Sequence, residues 1–311
     1  MTMPTLVPER LRRVAGEQLR RNEPLARHTS FRIGGPADYL VVVEHVPQLV
    51  ELVQAAEAEG IPWLVLGRGS NVLVADRGFR GLVIRNLCAG LMIAADGRVR
   101  AESGVRFAHL ATQVAKAGWG GLEYGIGIPG SVGGAVVMNA GAHGGSFGDY
   151  LVAAEVLRPD GEITRLERAD LQLGYRSSRF HHDRKLVVLA AELALPPTDP
   201  AVALARIREC RERRQATQPT APGAGSIFKN PPEGTPAAGW LIDQAGLKGT
   251  RRGDAIISPK HGNFIVNLGQ ATAADVMALV ELAQATVYER FGIRLELEIE
   301  RVGAWTEDGD G

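Results

Sequence analysis

Glycine and small polar residues recur at three places where main chain could close on a phosphorylated ligand: "RIGGPAD" (32–38), "GRGSN" (67–71) and "GIPGSVGGAVVMNAGAHG" (127–144). Glycine lets backbone N–H groups approach a ligand closely, and successive amides in a turn form a concavity for phosphate oxygens. Gly125, Gly127 and Gly130 also spell G-x-G-x-x-G. A dinucleotide-binding turn of that spelling must follow a strand and open a helix, so that the pyrophosphate meets the helix N-terminus. Here a helix expected over 105–117 precedes it, and Pro129 removes one N–H. "SVGGAVV" is too glycine-punctured to open a helix cleanly. The fingerprint fails on context. Each loop alone reads equally as a tight structural turn, but three in the first half point to an extended diphosphate cofactor, FAD rather than a mononucleotide.

The elements that must hold these loops alternate irregularly. An amphipathic helix is expected over 4–22, then a strand after Gly34-Gly35-Pro36, a helix from Pro47 to Gly60, and strand, turn, strand through "PWLVLGRGSNVLVAD". Asp96-Gly97 and Asp160-Gly161 each mark a hairpin. "KLVVLAAELAL" reads as a buried strand and "PAVALARIRECRERRQ" as a helix. A Pro- and Gly-rich loop over "PTAPGAGSIFKNPPEGTP" follows, then a short helix near Trp240, the strand "GNFIVNLG", a long helix capped near Thr272 and the strand "IRLELEIERVG". Hairpins mixed with helices favour an α+β fold over a doubly wound parallel sheet.

The 311 residues exceed one small core and imply two or three packed units. Basic and acidic residues balance at 35 each, which argues against a nucleic-acid or anionic-membrane surface as the main partner. Cys88 and Cys210 have no near cysteine partner, so they read as reduced thiols, with no disulfide framework or zinc site and no metal expected. No long apolar run or signal peptide occurs, which suggests a soluble, cytoplasmic protein. The acidic, glycine-rich ending "AWTEDGDG" suggests fraying.

Taken in order, "HTSFRIGGPAD" (28–38), "GRGSN" (67–71), "GLEYGIGIPGSVGGAVVMNAGAHG" (121–144), "LGYRSSRF" (173–180), "AGSIFKNPP" (224–232), "WLIDQAGLKG" (240–249), "HGNFIVN" (261–267) and "LELEIERVG" (295–303) resemble the UDP-N-acetylenolpyruvoylglucosamine reductases. The resemblance implies a vanillyl-alcohol-oxidase-type FAD-binding fold of two subdomains plus a C-terminal α+β substrate domain. On that reading residues 1–75 form the first subdomain, with 300–311 able to return to it. Residues 76–203 form the second, and 204–299 the substrate domain. NADPH would reduce a non-covalent FAD, and hydride would then pass to the enolpyruvyl group of UDP-N-acetylglucosamine-enolpyruvate for peptidoglycan synthesis. A monomer or weak oligomer is expected.

The family's arginine, serine and glutamate carry over to Arg176, Ser226 and Glu298 as catalytic residues. From the residues alone, Arg176 could be a surface charge and Ser226 a turn residue. Glu296, Glu298 and Glu300 are equal candidates on one strand face; only the family's terminal pattern selects Glu298. Cofactor contacts are expected at Arg32, Gly67, Gly69, Ser70, Asn71, Gly130, Ser131, Gly133, Gly134, Asn139 and Gly141. Substrate contacts are expected at Lys229, Asn230 and Gln244. His143 stands where the family often has tyrosine, and a contact with cofactor or solvent is expected of it. Only a short stretch separates Ser178 from Ala194, so the chain resembles the subtype without an inserted substrate loop. Two rival readings are another flavoenzyme of this fold and a nucleotide-binding regulator that has lost activity.

Overall fold

The computed structural model describes residues 7–142 and 144–305. The start of the expected N-terminal helix, His143 and the final residues 306–311 lie outside the described residues.

The chain begins with α1 (Glu9–Ala15), β1 (Arg20–Pro24), β2 (Pro36–Val43), α2 (Val46–Ala58), β3 (Trp63–Leu66), β4 (Val72–Val74) and β5 (Phe79–Asn86). It continues through β6 (Leu91–Ile93), β7 (Arg98–Glu102), α3 (Phe107–Lys116), α4 (Val132–Val137), β8 (Gly141–Ala142), β9 (Gly145–Ser146), β10 (Leu151–Leu157), β11 (Ile163–Glu167) and β12 (Val187–Ala194). Last come α5 (Pro200–Thr217), α6 (Ala238–Gln244), β13 (Arg251–Arg252), β14 (Ala255–Ile257), β15 (Ile265–Asn267), α7 (Ala273–Phe291) and β16 (Glu300–Val302). Helices and hairpins mix throughout, as an α+β fold requires.

Two compact units result, neither contiguous in sequence. The first takes residues 1–20, 39–68 and 81–214; the second takes 21–38, 69–80 and 215–311. The chain crosses from one to the other within β2, after Asp38, and within β5, after Arg80.

The first unit has two principal hydrophobic clusters. In one, Leu11 of α1 and Leu49, Leu52 and Val53 of α2 pack with Tyr39, Val41, Leu82 and Ile84. β3 lies parallel to β5 there, Trp63 opposite Leu82. In the other, Phe107, Leu110 and Val114 of α3 and Val132 and Val136 of α4 pack against the five-stranded sheet β11-β10-β12-β7-β6. Phe107 and Phe147 are fully buried and meet edge-to-face at 5.3 Å. Removing each such ring from water contributes about 2–3 kcal/mol. Both Asp-Gly hairpins form as the sequence predicts, β6 with β7 and β10 with β11.

The second unit wraps α6 and α7 around the sheet β13-β14-β15, with Leu241, Ile242, Val276, Leu279 and Val280 in its core. Thr272 caps α7 in a reciprocal box with Asp275, and Gly292 ends it in the left-handed region. The Asp76 carboxylate also accepts the N–H groups of Ala273 and Ala274 at 2.8 and 3.0 Å, which ties the end of β4 to the positive end of α7. β16 pairs parallel with β4, Glu300 opposite Val72.

Three local expectations are corrected and one is met. The N-terminal helix stops at Ala15, because Gly16 turns left-handed at φ 53°, and Arg20–Pro24 is extended. The expected strand, turn, strand through "GRGSN" forms as β3 and β4, with β3 pairing to β5 and β4 to β16. Only Glu300–Val302 of the last expected strand is regular. A helix does open after Gly130: α4 begins at Val132, capped by Ser131. The preceding element is a 3₁₀ turn over Glu123–Gly127, not a strand, so the dinucleotide fingerprint still fails on that ground.

Candidate functional site

In the first unit the glycine-rich stretch is bound closely to its own neighbours. The N–H groups of Val132 and Gly133 donate to the carbonyls of Val105 and Ser103, both at 2.8 Å. That of Gly134 donates to Ser131 Oγ at 3.4 Å. The Gly130 carbonyl accepts from Phe107 N–H. The first amides of α4 are therefore taken by protein. Several glycines here have steric reasons of the protein's own: a Cβ at Gly133 would lie 2.9 Å from Ser103 Cβ, and one at Gly141 would lie 2.5 Å from the Gly145 carbonyl oxygen. Gly67, at the end of β3, would put a Cβ 2.5 Å from Ser131 Oγ. Gly134 differs: it is exposed, and its nearest neighbour to a Cβ is 3.7 Å away.

Asn139 joins this stretch to the turn that carries Arg176. Its Nδ2 donates to the Gly174 carbonyl and its Oδ1 accepts from Gly148 N–H, both at 2.9 Å. Gly174 and Ser177 close that turn on each other. Arg176 sits in it at φ 51°, half-buried, with Nη2 donating to the Gly141 carbonyl at 2.6 Å and its guanidinium 5.2 Å above the Tyr175 ring. A non-glycine residue at positive φ is uncommon and marks a local backbone constraint. Nearby, burial pushes the Tyr124 phenol up from its ordinary pKa, and its hydroxyl has no hydrogen-bond partner among the described residues. Arg214 of α5 lies over the same stretch, its Cδ 3.2 Å from where a Gly127 Cβ would stand. Burial lowers its pKa. Sequence reasoning missed Arg214, because a basic helix face gives no sign of which arginine turns inward.

In the second unit the "GRGSN" turn rests on "HTSFR". Gly69 has φ 63°, and a Cβ there would lie 2.3 Å from the His28 carbonyl oxygen, so only glycine fits. The Gly69 carbonyl accepts from Ser30 N–H at 2.9 Å. Among the described residues no group accepts from the N–H groups of Gly69, Ser70 and Asn71. Three consecutive uncommitted amides in a glycine turn are donors that could hold phosphate oxygens, such as those of the FAD diphosphate. Asn71 also anchors a distant segment, since its Nδ2 donates to the Glu298 carbonyl at 3.0 Å and its own carbonyl accepts from Glu300 N–H. Arg32 is exposed, on a left-handed backbone at φ 56°.

The same unit brings Ser226 and Glu298 onto neighbouring segments. Lys229 N–H donates to the Glu296 carbonyl and Glu298 N–H to the Ile227 carbonyl, with Phe228 opposite Leu297. Glu296 is exposed, whereas Glu298 is half-buried and anchored on both sides. Asn263, 4% exposed, grips the Ser226 segment from the other side. Its carbonyl accepts from Ile227 N–H, its Oδ1 from Phe228 N–H, and its Nδ2 donates to the Phe228 carbonyl.

Ser226 and Asn230 line an open cavity of about 300 Å³ with Trp240, Asp243, Lys248, Lys260, His261 and Asn263. Asn230 Oδ1 also accepts from Ala238 N–H at the start of α6. Lys229 and Gln244 are not among the lining residues; Lys229 Nζ lies 3.7 Å from Glu296, and Gln244 is exposed at the end of α6. Lys248, Lys260 and His261 were given no role by the sequence, although "WLIDQAGLKG" and "HGNFIVN" both count among the ordered blocks. The signal was there as a basic residue in or beside each block.

Among the described residues no group of three His, Cys, Asp or Glu side chains could hold a metal, and no helix is long and apolar enough to cross a membrane. Both cysteines are free thiols; burial pushes Cys88 up to a pKa of about 11.

Residues 37–167 match the family model described as an FAD binding domain. Residues 218–302 match that of the UDP-N-acetylenolpyruvoylglucosamine reductase C-terminal domain. The chain is 48% identical over 296 residues to UDP-N-acetylenolpyruvoylglucosamine reductase 2 of Symbiobacterium thermophilum, covering 94% of this chain and 95% of that one. It is 42% identical over 304 residues to the Bacillus subtilis reductase, covering 97% and 99%. The crystal structure of UDP-N-acetylenolpyruvylglucosamine reductase from Thermus caldophilus superposes with a TM-score of 0.76 at 41% identity, covering 89% of this chain and 97% of that one.

Proposed function

We propose that this chain, which belongs to the UDP-N-acetylenolpyruvoylglucosamine reductase family, is the FAD-dependent reductase of peptidoglycan synthesis and uses NADPH to convert UDP-N-acetylglucosamine-enolpyruvate into UDP-N-acetylmuramate. The observation that carries the residue-level reading is the antiparallel pairing that sets Ser226, at the cavity, beside the segment of Glu298. FAD, when bound, would supply the hydride chemistry between NADPH and the enolpyruvyl double bond of the substrate.

The protein's residues then have defined work. Hydride addition drives negative charge onto the substrate carboxylate as an enolate, and a fixed cation there lowers the barrier. Arg176, held by Gly141 and Tyr175, is that cation. Ser226 gives its Oγ proton to the carbon next to the carboxylate, a step open to a weak acid because the enolate is strongly basic. Glu298 is the acidic partner of that transfer. The amides of Gly69–Asn71 hold the diphosphate of FAD, with Arg32, Gly67, Gly130, Ser131, Gly133, Gly134, Asn139 and Gly141 shaping the remaining cofactor wall. Lys229, Asn230 and Gln244 serve the substrate.

The working parts proposed are 1–75, 76–203 and 204–299; the hydrophobic clusters cross these bounds, since Phe31, Ile33 and Leu73 pack with the C-terminal residues and Leu157, Val187 and Leu189 with the N-terminal ones. The experiment is an anaerobic two-step assay on FAD-loaded protein. NADPH bleaches the flavin, and UDP-N-acetylglucosamine-enolpyruvate restores its colour with formation of UDP-N-acetylmuramate. A flavin that is reduced by NADPH but not reoxidised by this substrate removes the reading.

A further inference from the structure

The cavity beside Ser226 holds one group able to change charge near neutral pH. The acids and bases lining it are Asp243 of α6, Lys248 in the turn after α6, and Lys260 and His261 in the loop before β15. Lys248 Nζ is paired with Asp243 at 2.6 Å, and Lys260 Nζ donates to the Gln215 carbonyl. Of the four, only histidine ordinarily titrates between pH 5 and 8.

The His261 ring is fixed on three sides. Asn263 N–H donates to Nδ1 at 3.2 Å, so the ring keeps its single proton on Nε2. Its Cε1 would be 2.7 Å from a Cβ at Gly239, so α6 offers bare backbone for the ring to lie against. Phe264 meets it edge-to-face at 4.9 Å. Burial first, and the charge of Lys248 second, hold its pKa below the ordinary histidine value. An imidazolium here would turn Nδ1–H against Asn263 N–H, donor against donor. The residue so disturbed is the one that grips Ile227 and Phe228 by three hydrogen bonds, immediately after Ser226.

We propose that His261 is a positioning residue for Ser226: its neutral ring, accepting from Asn263, fixes the Asn263 clamp on the Ser226 segment, and protonation releases that clamp. The inference rests on the reading that Ser226 is the proton donor. It assigns to His261 the acid limb of the substrate half-reaction, lying on the acid side of about pH 6.5.

The test compares wild type with His261→Asn and His261→Ala, measuring flavin reoxidation by substrate in single turnover from pH 5 to 8. Asn presents a non-titrating acceptor near the Nδ1 position. His261→Asn is expected to keep the neutral-pH rate within about threefold and lose the acid limb, and His261→Ala to lose about tenfold or more at every pH. Flavin reduction by NADPH is expected unchanged in both. An acid limb that survives in His261→Asn overturns the proposal. A second readout needs no substrate: in ¹⁵N-labelled protein the Ile227 and Phe228 amide shifts should titrate with the His261 ring in wild type and stay flat in His261→Asn. Amides that ignore the ring's titration overturn the proposal even if turnover is seen. A wild type that is reduced by NADPH but not reoxidised by substrate removes the functional reading instead, and the amide titration still decides the His261–Asn263 linkage.

Discussion

The stretch 125–144 and the turn 67–71 look alike as sequence, both rich in glycine with a serine and an asparagine, yet their backbones are committed differently. In the longer stretch the first amides of α4 are bonded to Val105, Ser103 and Ser131, and Gly133 and Gly141 abut protein. In the shorter turn, Gly69 is glycine because of His28, and the amides of Gly69–Asn71 have no protein acceptor among the described residues. Glycine content alone therefore does not mark a phosphate site. What distinguishes the shorter turn is a run of three donors that folding leaves unused.

The largest expected effect breaks the comparison at its chemical end. Ser226→Ala should slow flavin reoxidation by substrate by about two orders of magnitude or more, while NADPH reduces the flavin at the wild-type rate. Equal slowing of both half-reactions would make Ser226 a turn residue only. Next, Gly69→Ala forces a side chain onto a left-handed backbone and into the His28 carbonyl. It should cost at least about 2 kcal/mol in urea unfolding of the FAD-free protein and weaken FAD binding as well.

Gly134→Ala sharpens the contrast from the other side. Its Cβ meets nothing closer than 3.7 Å and enters a helix, so apo-protein stability should hold or rise by up to about 1 kcal/mol. Any fall in FAD affinity then reports the cofactor itself; about tenfold is expected if Gly134 faces it. Unchanged affinity would take Gly134 out of the cofactor wall. The smallest effect is Thr272→Ala, which removes the α7 cap and should cost about 1 kcal/mol by thermal or urea unfolding with both half-reactions intact.

Much of this was legible locally. The Asp-Gly hairpins, α2, α3, α5 and α7 follow from periodicity and capping residues, and the ordered motifs identify the family. Three features were not legible, for one physical reason: each depends on a partner distant in sequence. The extended run Arg20–Pro24 replaces the expected end of the N-terminal helix, since β1 lies beside β2. "SVGGAVV" forms a helix despite two glycines because Val132, Ala135 and Val136 are buried against residues far along the chain and Ser131 caps it. Glu298 could not be told from Glu296 by alternation, because Asn71 and Ile227 clasp one and leave the other in solvent. The cavity residues Lys248, Lys260 and His261 share this property, being drawn together by α6 and the loop before β15.

The most direct test is amide hydrogen exchange on the FAD-free and FAD-loaded protein, read residue by residue. Amides already bonded to protein have little protection to gain, whereas unused ones gain it when a diphosphate accepts from them. FAD should therefore slow exchange at Gly69, Ser70 and Asn71 and leave Val132 and Gly133 nearly unchanged. Protection gained at Val132 and Gly133 with none at Gly69–Asn71 would place the diphosphate at the wrong loop and overturn the distinction between them.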